Sequence, residues 1–115
     1  MTALIDQACI PCKGSDSPLS PAETEKMGAL VPNWHIVNTS NTPQLTRHYD
    51  FSDFRGALAF TQQIGEIAEQ AGHHPVLITE WGKVTVFWWT HVIHGLHQND
   101  FIMAAKTDLA YAKEA

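Results

Sequence analysis

From Phe54 to Ala71, residues able to face a core return every three or four positions: Phe54, Ala57, Leu58, Thr61, Ile64, Ile67, Ala68 and Ala71. That spacing marks one face of an α-helix and constrains the chain more than any other feature. Ser52 or Asp53 is placed to cap its start, and Gly72 to end it as a left-handed C′ residue. A stripe this long needs a surface to cover it. Two β-prone runs precede it, Trp34-His35-Ile36-Val37 and 45–51, separated by the turn cluster 38–43. Two more follow, Val76–Glu80 and 83–91, separated by Trp81-Gly82. The pattern predicts two antiparallel hairpins joined by the long helix.

Shorter helices flank this unit. Ser20-Pro21-Ala22-Glu23 reads as a helix start, with Ser20 as N-cap, Pro21 at the first helical position and Glu23 closing a capping box. Gly28 and Pro32 keep that helix short, and Ala22, Met27 and Leu30 are its expected buried contacts. A last helix is expected over 100–115, with Asn99 or Asp100 near its start and Phe101, Ile102, Ala105, Leu109 and Ala112 facing inward. The order α-β-β-α-β-β-α predicts an α+β single domain, a four-stranded antiparallel sheet with three helices packed on one face. Residues 1–17 are expected to form a mobile N-terminal arm and 18–115 the domain. In 83–91, Val84, Val86, Trp88 and Thr90 share one face, and Thr85, Phe87, Trp89 and His91 the other. Both faces carry large apolar groups, so the face turned from the helices calls for a ligand or a partner subunit.

At 115 residues, with 44% hydrophobic and 17% charged residues, the chain is globular and long enough for a core without disulfides or metal. A net charge of −5 argues against nucleic acid or an anionic membrane as a direct partner. No charged leader with an apolar run opens the sequence, and no run is long enough to span a bilayer, so the cytoplasm is the expected compartment. The two cysteines, Cys9 and Cys12, form a C-x-x-C in the arm. They read either as two thiols of a loose tail or as half of a metal site completed by another chain.

Three of the seven histidines stand where elements begin or end. His73 and His74 follow the long helix, and Pro75 biases His74 toward extended backbone. His91 closes the last strand. Imidazoles exchange protons near neutrality at little energetic cost, so this grouping suits a reaction needing both an acid and a base. Glu69 lies in the last helical turn, where a carboxylate opposes the dipole, which points to a paired or functional role. His35, His48, His94 and His97 read as surface or satisfied residues. A zinc site using His73, His74, His91 and a cysteine is the alternative, although adjacent histidines match usual ligand spacing poorly. The residues alone stop at a histidine-rich acid–base or metal site.

The assembled motif resembles the pterin-4a-carbinolamine dehydratase family. It reads Glu69-x3-His73-His74-Pro75-x5-Trp81-x9-His91-x8-Asp100, with Trp34 opening the first strand, 51–60 leading the long helix and Thr90 before the last histidine. The resemblance runs from about Ser20 to the C-terminus and leaves the C-x-x-C arm outside. It implies an α+β fold and a hydro-lyase that dehydrates 4a-hydroxytetrahydropterin to quinonoid dihydropterin, recycling tetrahydropterin for an aromatic amino acid hydroxylase. It implies no metal or organic cofactor, and a homodimer or homotetramer. Some family members also bind a homeodomain transcription factor, which makes a protein-interaction or coactivator module the alternative function. The resemblance assigns His73, His74 and His91 to the active site, with His73 and His91 moving protons and His74 orienting substrate. It gives Trp34 a stacking role on the pterin, Asp100 the orientation of His91, and Glu69 a pairing with a histidine or the pterin edge. Pro75 and Thr90 complete the substrate-binding set.

Overall fold

The computed structural model describes residues 4–9 and 17–114. The elements in chain order are α1 (Pro21–Gly28), β1 (His35–Thr39), β2 (Thr42–Asp50), α2 (Phe54–Ala71), β3 (Val76–Glu80), β4 (Lys83–Trp88) and α3 (Gln98–Glu114). The strands form one antiparallel sheet in the order β1-β2-β4-β3. The predicted α+β architecture is therefore present, with β4 inserted between β2 and β3. The antiparallel β3–β4 pairing, with Val76 opposite Phe87, places the two ends of the motif, the start of β3 and the end of β4, at one end of the sheet.

Local chemistry accounts for the boundaries. Ser20 caps α1 in a reciprocal capping box with Glu23, and hydrogen bonding from the Ser20 backbone holds the Glu23 carboxyl below its usual range. Asp53 caps α2 by accepting from Gly56 N, and Gly72 ends it at φ 67°. The β1–β2 turn is tighter than 38–43. Ser40 and Asn41 alone take positive φ, and Asn38, Thr39, Thr42 and Pro43 join the ladder. Pro43 is tolerated because only β1 pairs with that part of β2.

The core lies between the sheet and α2 and α3. Val84, Val86 and Trp88 of β4 and Leu45 and Tyr49 of β2 meet Ala57, Phe60, Ile64 and Ala68 of α2 and Phe101, Ile102, Met103 and Ala104 of α3. Several expected contacts differ. Phe54 and Leu58 are 44% and 50% exposed, because the buried stripe of α2 runs one position round, through Phe60. Helix α1 buries no residue and packs mainly on α3, leaving Ala22 exposed and Leu30 57% exposed. Leu109 and Ala112 face outward, and Met103, Ala104 and Thr107 take the interior of α3 instead. The described part of the arm is docked rather than free: Leu4 is buried, the turn Leu4–Asp6 lies on α3, and Gln98 donates to Gln7. Cys12 lies outside the described residues, so the C-x-x-C pair is seen only at Cys9.

Candidate active site

Gly72 turns the chain out of α2, and His73 follows with its N–H on the Ala68 carbonyl at 3.2 Å. The turn directs His73 inward. Its ring lies parallel to Trp88, 5.7 Å between centroids and 6° between planes, and its side chain is 11% exposed. Nε2 is 2.6 Å from Asp100 Oδ1. Asp100 is wholly buried in the first turn of α3, where the helix dipole favours a carboxylate. Its other oxygen accepts from Thr90 Oγ1 and from His97 N, each at 2.9 Å. An ionised carboxylate only accepts, so Nε2 donates, and Nδ1 is the nitrogen with no hydrogen bond among the described residues. The carboxylate fixes both the tautomer and the plane of His73.

His74 points the other way. It is largely exposed, with Nε2 2.6 Å from Glu69 Oε1. Glu69 thus finds a partner in the imidazole, the pairing its position in the last helical turn suggested. His91 begins a 3-10 turn, His91–Ile93, directly after Thr90. The turn is pinned by Thr90 N donating to Gly95 O at 2.9 Å, by buried Ile93, and by His94 at φ 50°. Gly95 is required: a Cβ there would come within 2.9 Å of Pro18 Cβ. His91 is exposed, and its ring stacks on Trp89 at 4.3 Å and 28°.

A second polar cluster centres on Asp108. It accepts from Trp34 Nε1 at 3.0 and 3.1 Å, from Arg47 Nη1 at 2.6 Å and from the Tyr49 hydroxyl. Burial, reinforced by the Asp108 carboxylate, pushes the Tyr49 phenol well above its usual range. Sequence reasoning missed this hub. The signal was Arg47 at the inward phase of β2, between Leu45 and Tyr49, where a cation demands a counter-charge. A cleft of about 240 Å³ lies beside the end of α2, lined by Ala8, Cys9, Ile67, Gln70, Ala71 and Lys106. Burial raises the Cys9 thiol, against the pull of Lys106. Among the described residues no three His, Cys, Asp or Glu side chains converge as metal ligands, and no helix is long and apolar enough to cross a membrane.

The model of the family described as pterin 4 alpha carbinolamine dehydratase matches residues 17–110. The chain belongs to this family. Proteins of Microcystis aeruginosa and Chlorobaculum tepidum, provisionally named pterin-4-alpha-carbinolamine dehydratases, are 50% and 49% identical to it. The first match covers 99% of this chain and 98% of the relative, the second 94% and 97%. A crystal structure titled transcriptional coactivator/pterin dehydratase from Brucella Melitensis superposes with a TM-score of 0.74 at 26% identity, over 83% of this chain and 99% of that one. A pterin dehydratase-like protein described as a RuBisCO assembly factor in the alpha-carboxysome shares the fold, with a TM-score of 0.58 at 18% identity over 69% and 89% of the two chains. Pterin-4a-carbinolamine dehydratases are hydro-lyases.

Within this dehydratase fold, His73, Thr90 and Asp100 form one network, His91 adjoins Thr90, and His74 with Glu69 adjoins His73. Pro75 is half-buried between His74 and β3. Three residues sit differently from what the resemblance implies. Asp100 holds His73 rather than His91, because the first turn of α3 faces the interior that His73 enters, while His91 sits on an exposed turn. Trp34 stands apart: it is 6% exposed and tied to Asp108, eight residues beyond Asp100, about 12 Å along the helix. Thr90 is 3% exposed with its hydroxyl committed to Asp100, so it too faces protein.

Proposed function

We propose that this protein dehydrates 4a-hydroxytetrahydropterin to quinonoid dihydropterin by histidine acid–base catalysis. The observation that carries this reading is the His73–Asp100 contact, a buried carboxylate setting an imidazole whose other nitrogen has no hydrogen bond among the described residues. His73 Nδ1 takes the proton from N5, and Asp100 stabilises the imidazolium that forms. His91 gives a proton to the 4a-hydroxyl as the C4a–O bond breaks and C4a=N5 forms, so water leaves. His74, braced by Glu69, binds the pterin edge. Thr90, Asp100 and Trp34 act from inside the protein, the first two through His73. Proton transfer by positioned groups contributes about 10²–10⁴ in rate.

The dihydropterin is then reduced elsewhere, and the restored tetrahydropterin serves an aromatic amino acid hydroxylase in the cytoplasm. Residues 18–115 carry the reaction without help from the arm, so the double variant Cys9→Ser/Cys12→Ser keeps full activity. Exposed Phe54, Leu58, Val76 and Ile78 support a homodimer or homotetramer, which light scattering after size exclusion tests. Val76 and Ile78, on the sheet face turned from the helices, also favour a second reading as a protein-interaction module. Stopped-flow dehydration separates the two: acceleration by the wild type, reduced about 10²-fold or more in His73→Ala and His91→Ala, supports the enzyme. No acceleration by the wild type rejects it.

A further inference from the structure

We infer that Trp89 is a positioning residue for His91, its indole face serving as the support that orders the imidazole. The inference rests on the reading of His91 as a proton-transfer group. The other motif histidines are each fixed by a carboxylate, His73 by Asp100 and His74 by Glu69. His91 has none. Among the described residues its imidazole makes no hydrogen bond, and its one ring contact is Trp89, at 4.3 Å and 28°.

The strand geometry explains the contact. Side chains of β4 alternate, with Val84, Val86 and Trp88 inward and Thr85 and Phe87 outward. Trp89, the first residue after β4, is half-buried and packs against the edge of the core, and Thr90 turns in toward Asp100. The 3-10 turn then brings His91 back onto the indole. An exposed imidazole stacked on a fixed aromatic face loses much of its rotamer freedom before substrate arrives. The same face attracts the imidazolium form, which a carboxylate does for the other two histidines. A half-buried tryptophan at the end of β4, packed against the core, thereby gains a use besides packing.

The test compares Trp89→Phe, Trp89→Leu and Trp89→Ala with wild type and His91→Ala, in stopped-flow dehydration and in proton NMR of the histidine rings. In the wild type, the ring proton signal lost in His91→Ala should lie upfield, shielded by the indole. Trp89→Leu and Trp89→Ala should remove that shielding and lower kcat about 2- to 12-fold with little change in KM, the range for freeing one side chain. Trp89→Phe should restore most of both. Leucine keeps apolar bulk, so rescue by phenylalanine alone separates stacking from packing. An unshielded His91 signal in the wild type overturns the inference. So does a folded Trp89→Leu variant with wild-type kcat alongside an inactive His91→Ala. Full activity in His91→Ala instead rejects the catalytic reading, and the shielding result still decides whether Trp89 orders the ring.

Discussion

Asp100→Asn removes one charge and keeps the shape of the side chain. In the wild type the carboxylate accepts from His73 Nε2 at 2.6 Å, and from the Thr90 hydroxyl and the His97 N–H at 2.9 Å each. An asparagine has one oxygen. Turned toward Thr90 and His97 it keeps two bonds, and its NH₂ then faces His73 Nε2. His73 can meet a donor only by accepting, which moves its proton to Nδ1 and closes the nitrogen proposed as the base. A bond to a charged group, about 1.5–3 kcal/mol, becomes a neutral one of about 0.5–1.5, so the expected loss is about 1–2 kcal/mol. At about 4 °C per kcal/mol for a domain of this size, Tm should fall by about 4–8 °C. Activity should fall much further, about 10²–10⁴ in kcat, because the tautomer is wrong. Asp100→Ala should behave differently, costing about 3–5 kcal/mol by leaving buried donors without an acceptor. Thermal denaturation, stopped-flow dehydration and nitrogen NMR of the His73 tautomer measure the three effects. An Asp100→Asn variant with the inverted tautomer and a kcat within about threefold of wild type would refute the assignment of His73 Nδ1 as base.

Three further outcomes follow from the geometry. Gly95→Ala should lower stability by about 1–3 kcal/mol through the Pro18 clash and reduce kcat by displacing the His91 turn; Pro18→Gly in the same chain should restore both, seen by denaturant titration and turnover. The Tyr49 phenol is held above its usual range, so its contribution to stability is full below the unfolded value of about 10 and declines as pH rises past it. Native wild type and Tyr49→Phe should therefore give the same tyrosinate absorbance up to about pH 11, whereas one fewer tyrosinate in the variant would contradict the burial argument. In a Cys12→Ser background, Cys9 should react with iodoacetamide several-fold more slowly than a free thiol, and at the free rate in urea; equal rates in buffer would mean the thiol is neither buried nor raised.

The fold was legible where local chemistry decides it. The Ser20 capping box, Gly72 and the Trp81-Gly82 turn depend on a few adjacent residues, and the structure has each of them. What the sequence left open depends on which neighbour covers which face. Phe54 and Leu58 belong to the apolar stripe of α2, but the line that meets the core runs through Ala57, Phe60, Ile64 and Ala68 and leaves both of them exposed. Helix α1 was expected to bury Ala22, Met27 and Leu30, yet packing mainly on α3 it buries none of them fully, and Met27 alone is partly buried against the core. Turn propensity overstated the 38–43 loop, because two residues with positive φ suffice to reverse a hairpin.

The site was legible in its members and not in its pairings, and the topology explains the difference. Spacing along the chain places His73 and His91 at element ends, but it does not say which carboxylate reaches which ring. With β4 between β2 and β3, the exit of α2, the end of β4 and the first turn of α3 converge. Asp100 enters that junction from the interior, so it takes the inward histidine and the inward threonine. Trp89 and the exposed His91 are left to order one another. The same alternation explains why His73 and His74, adjacent in sequence, differ so sharply, one side chain 11% exposed and the other 59%. The Gly72 turn and the Asp100 carboxylate hold His73 inward, and Pro75 keeps the backbone of His74 extended, so the next side chain leaves the interior. One end of the sheet thus holds a buried, carboxylate-set imidazole and two accessible ones, and the proposed reaction, a proton taken from one atom and given to its neighbour, would draw on both kinds.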